Sequence, residues 1–189
     1  LFKHEGLIAG LVEIVGQKGS EYKVAREKAV GAIQNIAGGD AEVKKGLFKH
    51  EGLIAVLVEI VGQKGGEHKV AREDAVGAIR NIACGDAEVK KGLFKHEGLI
   101  AGLVEIVGQK GSEYKVAREK AVGAIQNIAG GDAEVKKGLF KHEGLIAVLV
   151  EIVGQKGGEH KVAREDAVGA IRNIACGDAE VKKGLFKHE

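Results

Sequence analysis

Residues 1–18 read LFKHEGLIAGLVEIVGQK, and this stretch returns with one change at Leu47 and again at Leu93 and Leu139. Successive starts lie 46 residues apart, and a fifth start, LFKHE, occupies residues 185–189. A period of this length is typical of stacked helical repeats that share one continuous core. The sequence therefore predicts a single solenoid domain over residues 1–189, with repeats at 1–46, 47–92, 93–138 and 139–184 and the start of a fifth at 185–189.

A pair of unlike repeats is the larger unit of repetition. Residues 1–46 are identical to 93–138, and residues 47–92 are identical to 139–184. Neighbouring repeats differ at six positions, which are Gly10/Val56, Ser20/Gly66, Tyr22/His68, Lys28/Asp74, Gln34/Arg80 and Gly38/Cys84. Natural drift rarely leaves a duplication of this length unchanged, so the sequence favours an engineered or reconstructed protein over a very recent duplication.

Apolar spacing and glycines divide each repeat into three predicted helices. Asp40 is a suitable N-cap for a short helix over 40–50, because its carboxylate can accept a bond from a free helix N–H. The apolar run at 53–61 is short enough for a strand, but the repeat context favours a buried helix. Apolar residues at three- and four-residue steps predict a long amphipathic helix over 67–83, ended by Gly85 as a left-handed C-cap.

The charge balance argues against a nucleic-acid partner. The chain carries 29 Lys and Arg residues against 27 Asp and Glu residues, giving a net charge of +2 and a pI near 8.5. Acidic and basic residues alternate, as on a solvated surface, whereas nucleic-acid binders carry a clustered positive excess.

Cysteine spacing and hydropathy predict a soluble protein of cytoplasmic type. Cys84 and Cys176 lie two repeats apart. Packed helices are about 8–10 Å apart and a disulfide spans at most ~7 Å between Cα atoms, so we expect reduced thiols. No apolar run approaches the ~18 residues of a membrane span, and we expect no membrane contact and no signal peptide.

The run EGLIAVLVEIV at residues 51–61 and the run AREDAVGAIRNIACGDAEVKKGLFKHEG at residues 71–98 resemble the armadillo repeat of importin-α and β-catenin. The family pattern has a glycine before the second helix, a Leu- and Val-rich run, and a third helix that ends Ala-aliphatic-x-x-Asn-aliphatic-Ala. All four repeats match it. HEAT repeats are the near alternative, but three helices and the Asn-Ile-Ala ending favour armadillo. The resemblance implies an all-α, right-handed α-solenoid of four three-helix repeats.

The resemblance also implies a function, because armadillo proteins bind extended peptides along a concave groove lined by their third helices. Carried onto the matching positions, the asparagine ladder that holds the peptide backbone is Asn35, Asn81, Asn127 and Asn173. An amide side chain suits this role because it offers both donors and an acceptor. The alternative is that each asparagine bonds only a neighbouring helix end or solvent.

The chain departs from the family where pockets are usually walled by tryptophan. Glycines fill that place, at Gly31, Gly77, Gly123 and Gly169. A glycine within a helix costs about 1 kcal/mol relative to alanine, so it indicates a close approach, either by an adjacent helix backbone or by a ligand.

Charged residues are also expected to line the groove. They are Lys28, Asp74, Lys120 and Asp166, together with Arg80 and Arg172. The Lys–Asp alternation predicts rungs between neighbouring third helices, which would set the register of unlike repeats and neutralise the groove.

No catalytic or metal-binding constellation is present in the sequence. The histidines of the KHEG segment lie one repeat apart in a spaced row, at His4, His50, His96, His142 and His188. Metal ligands must instead converge on contacts of about 2 Å. Ser-His-Asp, HExxH and phosphate-loop patterns are missing. We therefore expect neither an enzyme nor a cofactor or metal site.

Two functions remain open at this point. One is an interaction scaffold whose groove binds an extended peptide or protein. The other is an engineered or structural repeat protein without a natural ligand, which forms homo-oligomers by end-to-end stacking. Natural solenoids close their ends with polar capping repeats, whereas here apolar residues such as Leu7, Leu11 and Ile14 are expected to lie open at one end.

Overall fold

A computed structural model describes residues 6–65 and 68–187, apart from the side chain of Glu159. Three kinds of α-helix recur in these ranges, in the order apolar, long and short, and no strand is among the described residues. The apolar helices are α1 (Leu7–Gly16), α4 (Leu53–Gly62), α7 (Leu99–Gly108) and α10 (Leu145–Gly154). The long helices are α2 (Lys23–Ala37), α5 (Lys69–Ile82), α8 (Lys115–Ala129) and α11 (Lys161–Ala175). The short helices are α3 (Ala41–Lys49), α6 (Ala87–Lys95), α9 (Ala133–Lys141) and α12 (Ala179–Phe186).

Each short helix begins at the predicted aspartate cap. In α3 the Asp40 carboxylate accepts a 3.0 Å hydrogen bond from the backbone N–H of Val43. The equivalent bond recurs at Asp86, Asp132 and Asp178. The cap satisfies one of the free N–H groups at the helix start, which confirms the local prediction from the Gly-Asp-Ala-Glu segment.

Glycines in the left-handed conformation lie before the apolar helices rather than after the long ones. Gly52 has φ 75° and precedes α4, where the chain reverses direction after the short helix. The predicted left-handed C-cap at Gly85 is wrong, because the only described residues with positive φ are other glycines. Gly85 is needed for space instead: a Cβ there would lie 3.0 Å from the Ile82 carbonyl oxygen and 3.1 Å from Val89.

The long helices begin later than the predicted 67–83 span because a turn precedes them. Three-residue 3₁₀ turns occupy Ser20–Tyr22, Ser112–Tyr114 and Gly158–His160. Two buried arginines that the sequence pattern did not indicate hold this loop, Arg26 before α2 and Arg118 before α8. In α8 the Arg118 guanidinium donates to the Gln109 carbonyl at 2.7 Å and to the Gly111 carbonyl at 2.8 Å.

Stacking of like helices builds one continuous core. Consecutive long helices pack on one another, consecutive apolar helices do the same, and each apolar helix packs on the long helix that follows it. Buried Leu, Ile, Val and Ala residues from all four repeats form a single cluster. This arrangement is the predicted all-α solenoid.

A phenylalanine ring of each of the first three short helices packs against the next short helix. Phe48, Phe94 and Phe140 lie against Gly92, Gly138 and Gly184 of the following short helix. A Cβ at any of these glycines would overlap the ring, so the glycines permit the contact. Among the described residues no helix is long and apolar enough to cross a membrane.

Candidate functional site

The long helices present one side to solvent, and matching residues from each helix form rows along it. The first row is an exposed valine in each helix, at Val24, Val70, Val116 and Val162. One turn further lies the Lys/Asp row, then the glycine row, then the rows of Gln/Arg and Asn residues. These positions share a face because they recur at three- and four-residue steps. We call this side the long-helix surface.

Ion pairs on this surface follow the predicted alternation only in part. The Lys120 ammonium lies 3.6 Å from the Asp74 carboxylate, which confirms one Lys–Asp rung between α5 and α8. Asp166 is instead paired with Arg80, at 3.4 Å, from the helix beyond its neighbour. The Arg80 side chain reaches Asp166 across α8, so this pair joins helices two repeats apart and is not a rung between neighbours.

Contacts between residues two repeats apart show that the long-helix surface is concave. Besides Arg80 and Asp166, the Lys120 ammonium donates to the Gln34 side-chain oxygen at 3.1 Å. Adjacent helices lie about 8–10 Å apart, so contacts across an intervening helix require the stack to curve inward on this side.

Side chains of the preceding repeat fill the space above the glycine row. The Gln34 amide lies over Gly77, Arg80 lies over Gly123, and the Gln126 amide lies over Gly169. The sequence left open whether a helix backbone or a ligand approaches these glycines. In this structure a neighbouring side chain does so.

Each described asparagine after the first is held by the helix before it. The side-chain N–H groups of Asn81, Asn127 and Asn173 donate to the main-chain carbonyls of Gln34, Arg80 and Gln126, at 3.2, 3.0 and 3.0 Å. Asn35 is exposed and has no such bond. An amide has two N–H donors and an oxygen acceptor, so the bond leaves one N–H and the oxygen of Asn81 and Asn173 available. The Asn127 nitrogen also donates to the Cys84 sulfur, which leaves the Asn127 oxygen available.

A cavity of about 300 Å³ lies beside the asparagine row between α5, α8 and α11. It is lined by Ala83, Cys84, Lys90, Gln126, Asn127, Gly130 and Asn173. The Asn127 amide also contacts the Cys84 sulfur at 3.1 Å, and Cys84 and Cys176 are both exposed free thiols. Asn127 and Asn173, predicted as ladder neighbours, therefore line one cavity.

The charged residues of the long-helix surface differ in burial and in pairing. Burial raises the pKa of Asp166, and the nearby Arg80 guanidinium opposes this increase without cancelling it. Lys28 and Arg172 are exposed, and neither has an ion-pair partner among the described residues. The described surface thus contains two paired carboxylates and an excess of cations.

The histidine row lies away from this surface. The ring nitrogens of His50, His96 and His142 contact the carbonyl oxygens of Glu51, Glu97 and Glu143 at the ends of the short helices. His4 and His188 lie outside the described residues. No group of three His, Cys, Asp or Glu side chains in the described ranges is arranged to hold a metal ion.

No family model and no curated protein sequence matches the chain, but solved structures do. A designed armadillo repeat protein in complex with the peptide (KR)4 is 31% identical, with a TM-score of 0.80 over 96% of this chain and 70% of that one. A computationally designed armadillo repeat protein for modular peptide recognition is 31% identical, with a TM-score of 0.79 over the same shares of 96% and 70%. An engineered protein is 26% identical, with a TM-score of 0.78 over 95% of this chain and 68% of that one.

Proposed function

Because the chain belongs to the armadillo repeat family, we propose that its long-helix surface binds a peptide in an extended conformation. The observation that carries the proposal is the row of asparagine amides, each fixed by a carbonyl of the preceding helix. The similar designed proteins, one in complex with (KR)4 and one made for modular peptide recognition, support the same function.

The fixed amides suit a peptide backbone for two reasons. The bond to the preceding helix leaves the side-chain oxygen of each held asparagine for the N–H of a peptide unit, and at Asn81 and Asn173 it also leaves an N–H for the peptide C=O. That same bond also orients the amide before a ligand arrives, so less side-chain entropy is lost on binding. The exposed valine row offers apolar contact to ligand side chains on the same surface.

Replacing two central asparagines tests the proposal. The best-binding octapeptide from an array is labelled with fluorescein, and its Kd is measured by fluorescence anisotropy with the parent chain and with the Asn81→Ala/Asn127→Ala variant. Losing about 1 kcal/mol of net peptide hydrogen bonding at each of the two asparagines should weaken binding about 30-fold. Unchanged affinity in this variant, or an array without any binder, would remove the groove as a peptide site.

Asn35 provides a matched control. Its side chain is exposed and is not held by a preceding helix, so Asn35→Ala should leave thermal unfolding unchanged and reduce affinity less than either central substitution. Thermal unfolding of the double variant, followed by circular dichroism, separates lost binding from lost folding.

We also propose a second function, self-association of the 189-residue chain through its two end faces. The supporting observation is the exposure of residues whose equivalents are buried inside the stack. Leu7 is 48% exposed, whereas the equivalent Leu53, Leu99 and Leu145 are 0% exposed. At the other end Phe186 is 92% exposed, although the equivalent Phe48, Phe94 and Phe140 pack against the core.

Burying such side chains stabilises an interface by about 1.5–3 kcal/mol for each large residue. Light scattering over a dilution series tests this function. An average mass that rises with concentration supports it, and a mass of 19.8 kDa at every concentration contradicts it.

A further inference from the structure

The two end faces of the chain carry opposite charge and match a junction that the chain already contains. We propose that copies join head to tail, with the basic end of one copy on the acidic end of the next, in the register of the internal junction between residues 47–92 and 93–138. This inference rests on the proposed self-association and assigns its polarity, its register and the residues that decide both.

Sequence identity makes the external faces copies of the internal ones. Residues 139–184 repeat 47–92, and residues 1–46 repeat 93–138. The last face of one copy and the first face of another are therefore the two halves of an interface that is already folded within the chain. Inside the chain this interface buries Leu99 and Ile106 completely, while the equivalent Leu7 and Ile14 are exposed.

Two ladders of ion pairs cross every described junction in the same direction. In the first, a lysine in the loop after one apolar helix pairs with a glutamate on the next apolar helix, as Lys64 does with Glu105 at 3.4 Å. The same pair recurs as Lys18 with Glu59 and Lys110 with Glu151. The lysine always comes from the earlier repeat.

In the second ladder, short helices pair with one another. The Lys91 ammonium lies 2.5 Å from Glu134 and 3.2 Å from Asp132, and Lys95 lies 2.8 Å from Glu134. Lysines of α3 and α9 make equivalent pairs with α6 and α12. Here too the cation belongs to the earlier element and the carboxylate to the later one.

Each ladder therefore ends with unpaired charges of one sign. The first face of the chain carries Glu13, Asp40 and Glu42, and the last face carries Lys156, Lys183 and Lys187. None of these six has an ion-pair partner within residues 6–65 and 68–187. In the register of the internal junction, Lys156 would meet Glu13 of the next copy, and Lys183 and Lys187 would meet its Glu42.

The concave surface would be completed by the same register. Lys120 contacts Asp74 and Gln34, so the equivalent Lys28 of the next copy would contact Asp166 and Gln126. Arg80 reaches Asp166, so Arg172 would reach Asp74 of the next copy. Both cations that lack an ion-pair partner among the described residues of this surface thus gain one at the junction.

Apolar burial supplies the affinity of this junction, and the charges choose its orientation. An exposed ion pair contributes only about 0–1 kcal/mol, but juxtaposed like charges penalise wrong pairings. Joining two first faces or two last faces would oppose three like charges, which leaves the head-to-tail arrangement. A head-to-tail contact that does not close produces a column of copies. Residues 1–5 and 185–189 share the sequence LFKHE and hold equivalent positions in the 46-residue repeat.

Charge reversal at one end tests the polarity. The first-face variant is Glu13→Lys/Glu42→Lys, and the last-face variant is Lys156→Glu/Lys183→Glu; all four side chains are exposed. The variant Glu97→Lys/Glu143→Lys serves as the net-charge control for the first-face variant, because it makes the same number of Glu→Lys changes at glutamates that belong to neither ladder. Light scattering at 50 mM salt gives the association constant of each protein and of mixtures.

Each reversed variant alone has two faces of like charge, and we expect it to associate at least tenfold more weakly than the parent chain and the control. Mixing the two variants 1:1 should restore association, since each new junction again joins opposite charges. At 500 mM salt the association constants of the parent chain and of the reversed variants should differ less, because salt screens the charges. If the parent chain associates but the reversed variants associate equally well, or the mixture recovers nothing, the charge-directed polarity is wrong. A monomeric parent chain would instead contradict self-association itself.

Discussion

The guanidinium of Arg80 lies across Gly123 and ends 3.4 Å from the carboxylate of Asp166, which belongs to the helix beyond its neighbour. Burial raises the pKa of Asp166 above its ordinary 3.8 even with this partner present. The ionised carboxylate is thus less favourable in the folded chain than in the unfolded one. The protonated Asp166 carboxyl is therefore the form that folding favours. The stability that it contributes is fully present below the ordinary pKa and is lost as the pH rises through the folded pKa.

Asp166→Asn should therefore stabilise the chain at pH 7, by about 0.5–1 kcal/mol, because the amide keeps an oxygen for Arg80 without a charge to desolvate. The difference should vanish below the ordinary pKa of 3.8. Thermal unfolding at pH 7 and pH 3 measures both effects. In the Arg80→Gln background, which copies Gln34, Asp166→Asn should stabilise the chain at pH 7 by a larger amount. A loss of stability in Asp166→Asn would show that the ion pair with Arg80 outweighs the cost of burying the carboxylate.

Local signals in the sequence predicted the helices well. The Asp40 cap and the apolar steps of the long helix place α3 and α5 within about two residues of their predicted bounds. These signals act within one or two turns, so a single repeat contains them. Repetition then predicts the solenoid, since no helix can bury its apolar face alone.

Contacts between repeats were harder to predict from the sequence. Gly77 signalled a close approach, but only the packed helices show that the Gln34 side chain makes it. Arg80 was predicted to line the groove, yet its reach to Asp166 depends on the curvature of the stack. The buried Arg118 was missed because its partners are loop carbonyls, which leave no pattern in the residue types.

The ring of Phe94 against Gly138 predicts an unusual response to alanine. Glycine to alanine within a helix normally stabilises by about 1 kcal/mol. At Gly138, however, a Cβ would lie 2.8 and 2.9 Å from two ring carbons of Phe94. Gly138→Ala should destabilise the chain by about 1–3 kcal/mol through overpacking.

Chemical denaturation measures this loss, and two further variants interpret it. Gly62→Ala is the control, because a Cβ at Gly62 meets nothing within 4 Å. Phe94→Leu in the Gly138→Ala background should recover part of the stability, which a double-mutant cycle would detect. Equal effects of Gly138→Ala and Gly62→Ala would rule out the ring contact as the cause.

Acid should destabilise the solenoid through its short-helix caps. The bond from the Val135 N–H and the nearby Lys91 ammonium lower the pKa of Asp132, and equivalent bonds lower the pKa of Asp86 and Asp178. Their stabilising contribution is present above the ordinary pKa of 3.8 and is lost as the pH falls through the lower folded values.

Asparagine caps a helix as well as aspartate does but does not titrate. The variant Asp86→Asn/Asp132→Asn/Asp178→Asn should therefore lose less melting temperature than the parent chain between pH 5 and pH 2. Thermal unfolding by circular dichroism provides the comparison. Parallel decreases in the two proteins would show that the caps contribute nothing to the acid response.

Finally, the charges of the long-helix surface predict which peptides it prefers. Arg80 and Lys120 are paired with its two aspartates, and Lys28 and Arg172 remain without an ion-pair partner among the described residues. A uniformly basic peptide such as (KR)4 would face excess positive charge, whereas the alternating peptide (KE)4 supplies carboxylates at every second residue. We expect (KE)4 to bind at least tenfold more tightly at 50 mM salt, with a smaller difference at 500 mM.

The chain itself offers matched substitutions that should reverse this preference. Lys28→Asp and Lys120→Asp copy Asp74 and Asp166, and Arg80→Gln and Arg172→Gln copy Gln34 and Gln126 of the alternate repeats. The quadruple variant carries four aspartates and no cation at these positions, so (KR)4 should bind it more tightly than (KE)4. Fluorescence anisotropy titrations of both peptides with both proteins measure the preference. If the four substitutions leave the preference for (KE)4 unchanged, the preference does not originate on the long-helix surface.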